Sequence, residues 1–460
     1  MVVIALARRL TGCPRRGDTG NGSLAWAGLV VSTVLIIVVL VLKVPHALLV
    51  AGGLIASLVL VRSPKALVMA VVLVTFLSRF SIELAGFNVR PEMWVGAIAL
   101  VALVANGPWV LSKSAARRVW LLSAWVGVGC LSTLLFAPDS RTSFGVILWL
   151  ILDVSALVWI FAQGRELHKL ALRFGVTLSV FYSIVTILLW TAAFTGVFRI
   201  GVQLDPSYGG YAVYATVYEA NILGGLLVLW TIVANSRYGR SVVRGWQARS
   251  LLIFAPMVGL ATQTRAAFVV ALLFLVYRLL VGRRPFAAIF SVIGASVMAQ
   301  GVVELLGGTV GLDKFTGLFD LSSGTGAYRA SSWSTAIADL REHPSWLIVG
   351  SGVNSFGQRH ADPTFPGGVV DWYLSNLPLQ ILYDTGVIGV VLVVSAFAIT
   401  LRQVPSMNAR FFAVGFILIG FTTSTLWLLQ SWVFLGLSEQ ASSARIAAGV
   451  QSRPGGRQNV

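Results

Sequence analysis

Cysteine and histidine are almost missing from this chain, with two and four copies in 460 residues. Cys13 lies in a basic N-terminal stretch and Cys130 lies inside an apolar run, so no disulfide framework is expected. CxxC, HExxH and DxD-like patterns are absent, which argues against a metal site and against a metal-bound nucleotide sugar. Acids are scarce as well, 17 against 34 lysines and arginines. Charged residues make up only 11% of the chain and hydrophobic ones 57%, a balance that excludes a disordered chain and an ordinary soluble domain. What remains is a polytopic membrane protein.

A span needs roughly 20 apolar residues. The apolar runs place spans near 24–42, 44–61, 66–79, 92–111, 119–136, 144–162, 170–195, 213–234, 250–263, 265–281, 285–306 and 377–401. A last block, 410–437, is one long helix or two short ones broken near Thr422, Thr423 and Ser424. The expected fold is therefore all-α, a membrane bundle of about 12–14 helices in one domain over 24–437, with no repeat of fixed period. Residues 1–23 carry arginines but no A-x-A-like cleavage site follows, as in an uncleaved signal anchor.

The net charge of +17 is topological in origin. Arg62, Lys65, Lys113, Arg117, Arg165, Lys169, Arg237, Arg240, Arg283, Arg284, Arg402 and Arg410 fall in alternate short loops, the positive-inside pattern. That pattern places those loops, the N-terminus and the basic tail 438–460 in the cytoplasm, and it favours a broken 410–437. No nucleic-acid partner is implied. Most acids, from Glu83 to Asp371, then fall on the outer side.

The one long polar stretch, 307–376, holds 70 residues with six acids, four bases and two histidines. Loops beyond about 12–15 residues are usually functional or disordered. Trp333, Trp346, Phe356, Phe365, Trp372 and Tyr373 make this one too aromatic for disorder. It is expected to fold against the membrane domain, with any chemistry beneath it. Trp333, Ile337 and Leu340 stand at near-helical spacing.

Arginines on the outer side break the positive-inside pattern. Arg199 ends a span, Arg265 sits where Thr262-Gln263-Thr264-Arg265 turns one span into the next, and Arg329 opens the amphipathic run. An ionisable residue at membrane depth is costly and points to function, and the guanidinium fork suits bidentate phosphate recognition. Arg79, Arg90 and Arg141 fit headgroup contacts or pairing with outer acids. Glu219 and Asn221 sit at the mouth of a helix, where Glu219 is a general base, a brace for an arginine, or an acid favoured by the helix dipole. Gly350-Ser351-Gly352 is a turn whose amides offer a phosphate cradle or simply a turn. His360 and Asp371 share the outer loop, as a base or as solvated side chains. Trp372 and Tyr373 suit sugar stacking or an interfacial belt.

In order along the chain, four stretches resemble the O-antigen ligase/O-antigen polymerase superfamily, over about residues 66–437. They are Ser78-Arg79-Phe80 with Asn88-Val89-Arg90-Pro91-Glu92; Arg199 with Ala215 to Gly224; Thr262-Gln263-Thr264-Arg265-Ala266; and Arg329, Trp333, His343-Pro344, Gly350-Ser351-Gly352 leading to Ser375-Asn376-Leu377-Pro378-Leu379-Gln380 and Asp384-Thr385-Gly386. The resemblance implies transfer of a glycan from undecaprenyl pyrophosphate to a sugar hydroxyl outside the cytoplasmic membrane, without metal or cofactor. Its partners would be the polyprenyl-pyrophosphate-linked glycan, a carbohydrate acceptor and membrane lipids. Catalytic roles would fall to Arg265, Arg329, Glu219 and His360, and substrate contacts to Arg199, Asn221, Asn376 and Trp372. Ser375 stands where ligases carry a histidine and Ala220 where the family often has proline, which favours a polymerase or a divergent transferase. The rival expectation, a transporter or flippase, places polar groups near the bilayer midplane, where the sequence offers only Asp153 and a few hydroxyls.

Overall fold

A computed structural model describes residues 57–84, 87–105, 111–196, 200–204, 211–281, 294, 324–360, 374–403, 407–421, 423 and 428–437. The chain divides into two compact units, Met1–Ala66 and Leu67–Val460, and the second carries the site. The expected spans 24–42 and 285–306, most of 44–61, and both terminal segments lie outside the described residues.

The helices are α1 (Pro64–Val74), α2 (Pro91–Ala105), α3 (Lys113–Phe136), α4 (Ser140–Phe161), α5 (Arg165–Phe194), α6 (Ala220–Ala234), α7 (Arg237–Val242), α8 (Gly245–Ala261), α9 (Arg265–Val281), α10 (Gly324–Glu342), α11 (Pro344–Val349), α12 (Ser355–Arg359), α13 (Leu377–Gln403) and α14 (Met407–Gly420). The protein is thus an all-α membrane protein, and four of the described helices, α3, α4, α5 and α13, are long and apolar enough to cross a bilayer. The last apolar block is not one continuous helix: α14 stops at Gly420 and a separate helix occupies 429–437.

Boundaries follow local chemistry. Ser112 caps α3 by accepting from the Ala115 amide at 3.0 Å. Asp139 caps α4 by accepting from the Arg141 and Thr142 amides. The span expected over 213–234 begins only at Ala220, because Tyr211–Val213 (β4) pairs antiparallel with Val202–Leu204 (β3), in the register Val202↔Val213. A second hairpin joins Ile82–Leu84 (β1) to Phe87–Val89 (β2). These three-residue strands are hidden in the sequence, where all but Val213 fall in the loops between the expected spans and are too short to show an alternation.

Close helix packing depends on small residues, as membrane interfaces require. A Cβ at Gly96 of α2 would lie 2.8 Å from the Leu152 carbonyl oxygen of α4, and one at Gly259 of α8 would lie 2.6 Å from Phe268 Cα of α9. Helices α3 and α13 are also joined by polar bonds, Trp125 Nε1 donating to Thr385 Oγ1 at 3.0 Å and Ser132 Oγ to the Asp384 carbonyl at 2.9 Å.

The polar turns segregate. Arg173 donates to the Val242 carbonyl and Gln247 to Thr177 Oγ1, so the basic segments of α5, α7 and α8 meet at one end. At the other end the aromatic segment α10–α12 docks on the α3–α4 turn, where Arg359 donates to the Phe136 carbonyl, Gln358 Oε1 accepts from the Asp139 amide and Gln358 Nε2 donates to Ser143 Oγ. Ala336, Leu340, Trp346, Phe356, Leu374 and Tyr383 form the apolar core of this docked layer. The helix expected around Trp333, Ile337 and Leu340 is α10; Ser332, Ala336 and Leu340 pack inward, while Ile337, expected on the packed face, is exposed.

Candidate active site

The turn before α6 is fastened to the segment after α1. Arg79 N donates to the Thr216 carbonyl at 3.1 Å, Thr216 Oγ1 to the Phe76 carbonyl at 2.6 Å, and Tyr218 N to Ser78 Oγ at 3.1 Å. Two of the arginines expected on the outer side, Arg79 and Arg90, are held here by rings. The Arg79 guanidinium lies 3.8 Å from the Tyr214 ring centre, and that of Arg90 lies 4.4 Å from Tyr218 and 4.7 Å from Trp149. Arg90 also pairs with buried Glu92 at 3.8 Å.

Glu219 occupies the N-cap position of α6 without making a side-chain cap bond. Its charge is felt by Tyr328: burial pushes the Tyr328 hydroxyl up, and Glu219 adds to that while a hydrogen bond with Ser332 opposes it. Arg329 follows Tyr328 directly in α10, so Glu219 and the start of α10 share one neighbourhood. Asn221 lies in the first turn of α6. One turn on, a Cβ at Gly224 would lie 2.6 Å from Thr262 Oγ1 and 3.1 Å from Thr264 Oγ1. The first turn of α6 therefore abuts the turn that leads into Arg265. The segments bearing Glu219, Asn221, Arg265 and Arg329 converge, although up to 110 residues separate them in sequence (329 − 219).

That turn is strained. Gln263 has φ +53°, is buried, and neither Nε2 nor Oε1 of its amide has a hydrogen-bond partner among the described residues. A left-handed non-glycine residue costs on the order of 1–3 kcal/mol, and a buried unmet amide about 1–3 kcal/mol more. Ala215 and Asn354, the other two described non-glycine residues with positive φ, lie in turns of the same end. Strain concentrated in this way is characteristic of ligand sites.

The glycine turn 350–352 does not form a phosphate cradle. Two of its amides already donate to backbone, Gly350 N to the Trp346 carbonyl and Ser351 N to the Tyr383 carbonyl, both at 2.8 Å, and the following Val353 N donates to Thr133 Oγ1 at 3.0 Å. The turn fastens the docked layer to α3 and α13.

His360 is not a solvated loop histidine. Its Nε2 lies 2.7 Å from Asp339 Oδ2, and Tyr383 donates its hydroxyl to the same oxygen at 2.6 Å. His360 also packs against Phe356, with ring centres 4.8 Å apart. Asn376, expected to touch substrate, uses Oδ1 to accept from the Leu379 amide at 3.0 Å and so caps α13. Arg359 lies over Trp346 at 4.2 Å, on which His343 stacks at 3.9 Å. Arg199, Asp371 and Trp372 lie outside the described residues.

Sequence reasoning missed Gln263, Tyr328, Asp339 and Tyr383. Tyr328 and Asp339 are eleven residues apart on a helix, which returns them to one face, and the same spacing carries Ser332 and Ala336 between them. That stripe was readable; the partners across it were not.

Comparison with known families places an O-antigen ligase match on residues 250–394, a stretch that contains Gln263, Arg265, Arg329, Asp339, His360 and Asn376. No curated protein matches the chain.

Proposed function

We propose that this member of the O-antigen ligase superfamily transfers a glycan from a polyprenyl pyrophosphate, undecaprenyl pyrophosphate in a bacterial membrane, to a sugar hydroxyl on the outer face of the cytoplasmic membrane. The chain is a membrane glycosyltransferase of the ligase/polymerase type; the donor, the sidedness and the residues are our reading. In that reading Arg265 and Arg329 hold the pyrophosphate, with Arg199 supporting. Glu219, next to the start of α10, takes the proton of the attacking hydroxyl, and Asn221 orients the sugar. The bond between the anomeric carbon and the pyrophosphate oxygen breaks as the carbon–hydroxyl oxygen bond forms. The leaving group departs as pyrophosphate on its lipid, and neither a metal nor a cofactor takes part. Because pyrophosphate is already a good leaving group, positioning and charge stabilisation supply most of the acceleration.

The observation that carries this reading is the 262–265 turn. A strained, buried glutamine lies two residues before Arg265, in a turn whose Thr262 and Thr264 hydroxyls face Gly224 of α6, the arrangement expected of a site that meets a polar ligand. Purified protein in bilayers, given lipid-pyrophosphate glycans and a sugar acceptor, is expected to release polyprenyl pyrophosphate in step with glycan product. Absence of release with stably folded protein would remove the reading.

A transport reading draws on one observation. Glu92 and Asp153 are buried within α2 and α4, and Glu92 Oε1 and both Asp153 carboxylate oxygens have no hydrogen-bond partner among the described residues. Vesicle uptake of lipid-linked glycan without any new glycosidic bond would favour it.

A further inference from the structure

One inward stripe of α10 has two polar ends. At the first, Tyr328 lies within electrostatic range of Glu219. At the second, Asp339 meets His360 and Tyr383. Eleven residues separate Tyr328 from Asp339 (339 − 328), which is about 16 Å at the helical rise. Between them Ser332 and Ala336 are buried, so the stripe is closed there by packing.

The second end is built for hydrogen bonding. Asp339 Oδ2 accepts from the Tyr383 hydroxyl and from His360 Nε2, which leaves Nδ1 as the ring nitrogen open to another hydrogen-bond partner. Tyr383 is fully buried and fixes the carboxylate, while the side chains of His360 and Asp339 keep 27% and 17% of their surface exposed. An oriented imidazole beside a partly open carboxylate suits the hydroxyls of a neutral sugar, which both donate and accept. It does not suit pyrophosphate, which a carboxylate repels.

We propose that His360, held by Asp339 and Tyr383, is a carbohydrate-hydroxyl subsite that grips the glycan at a distance from the bond being transferred. The inference rests on the glycan-transfer reading given above. With the reacting bond at the Glu219–Tyr328 end, a group about 16 Å away along the helix meets sugars further along the chain. His360 is then a specificity residue, and Asp339 and Tyr383 position it.

The test uses the full-length protein in bilayers and two donors from the cells that make it, one bearing the complete lipid-linked oligosaccharide and one trimmed to its first sugar. The ratio of kcat/KM for the complete donor to that for the trimmed donor is the readout. A neutral hydrogen bond contributes about 0.5–1.5 kcal/mol, so His360→Ala is expected to lower this ratio about 3–10-fold, mainly through KM. Tyr383→Phe keeps the ring packed and removes one donor from Asp339, and it should lower the ratio in the same direction by less. An unchanged ratio in both variants overturns the subsite. An equal collapse of kcat on both donors also overturns it, and makes His360 a proton acceptor in the transfer step. Folded wild-type protein that transfers neither donor overturns the glycan-transfer reading itself.

Discussion

Gly350 and Gly386 lock into each other's backbone. A Cβ on Gly350 would lie 2.2 Å from the Asp384 carbonyl oxygen, and one on Gly386 would lie 2.2 Å from that of Ile348. Both residues have positive φ, +89° and +65°, so a side chain at either is excluded by backbone conformation as well as by space. This junction fixes the docked layer on α13, and with it Tyr383 under Asp339.

Alanine at either position is therefore expected to destabilise the protein by about 3 kcal/mol or more, overpacking and left-handed strain combined. Gly127 of α3 is the control, because nothing lies within 4 Å of its added Cβ. There alanine should stabilise by up to about 1 kcal/mol. Thermal unfolding in a mild detergent measures both, and a tolerant Gly386→Ala would disprove the lock.

Gln263→Leu is expected to raise the melting temperature and lower transfer. It removes a buried amide that lacks a partner, which would relieve about 1–3 kcal/mol, and it withdraws that amide from the ligand. Stability gained at the expense of activity marks a functional position. A variant that is both less stable and fully active would make Gln263 an ordinary structural residue.

For Arg265→Ala and Arg329→Ala the expected loss is about 10–100-fold in rate each, from a charge-assisted bond of about 1.5–3 kcal/mol. Arg265→Lys should stay impaired, since it keeps the charge and loses the fork. Glu219→Gln should cost about 100-fold or more if Glu219 accepts the proton. Steady-state release of polyprenyl pyrophosphate reads all four. Wild-type rates in Arg265→Lys would reduce Arg265 to a headgroup anchor.

Sidedness is open to direct measurement. With the native cysteines replaced, a cysteine at exposed Ser345 should react with an impermeant reagent on intact cells, and one at exposed Ser241 only after the membrane is opened. The opposite pattern would invert the protein and move the site to the cytoplasm.

The Asp139 cap carries a pH signature. The Thr142 hydroxyl, then the Thr142 amide and the Arg141 amide and charge, hold the exposed Asp139 carboxyl below its ordinary value. Its folded value being depressed, the ionised cap stabilises above the unfolded carboxyl's range, and that contribution fades as pH falls through the lower folded value. The melting-temperature gap between wild type and Asp139→Ala should be constant near neutrality and narrow only in acid. A gap that widens on acidification would refute the assignment.

Much of this protein was legible in its sequence, for identifiable reasons. Helix α9 begins at Arg265 as the Thr-Gln-Thr-Arg turn requires, and long runs such as those of α4 and α5 announce themselves by apolar length alone. The hairpins β1–β2 and β3–β4 did not, because three residues are too few to show an alternation. The Gly350 turn stayed ambiguous, since a glycine-rich segment looks the same whether its amides face a phosphate or the backbone of α13. His360 looked solvated because its partners Asp339 and Tyr383 lie 21 and 23 residues away, and only the docking of α10 on α13 unites them.

Helices α2 and α6 have 15 residues each, about 22 Å of rise, against a hydrocarbon layer about 30 Å thick. Helices this short leave either Glu92 and Glu219, at their starts, or their opposite ends short of the level of the lipid phosphates. The bilayer must thin around these helices or a water-filled notch must reach down to them. In the glycan-transfer reading, a shortfall on the Glu92 and Glu219 side would let a lipid-linked pyrophosphate reach the arginines without leaving its leaflet, and the thickness of the surrounding lipid would then control turnover. Reconstitution in a graded series of acyl-chain lengths would then show fastest transfer in the thinner members.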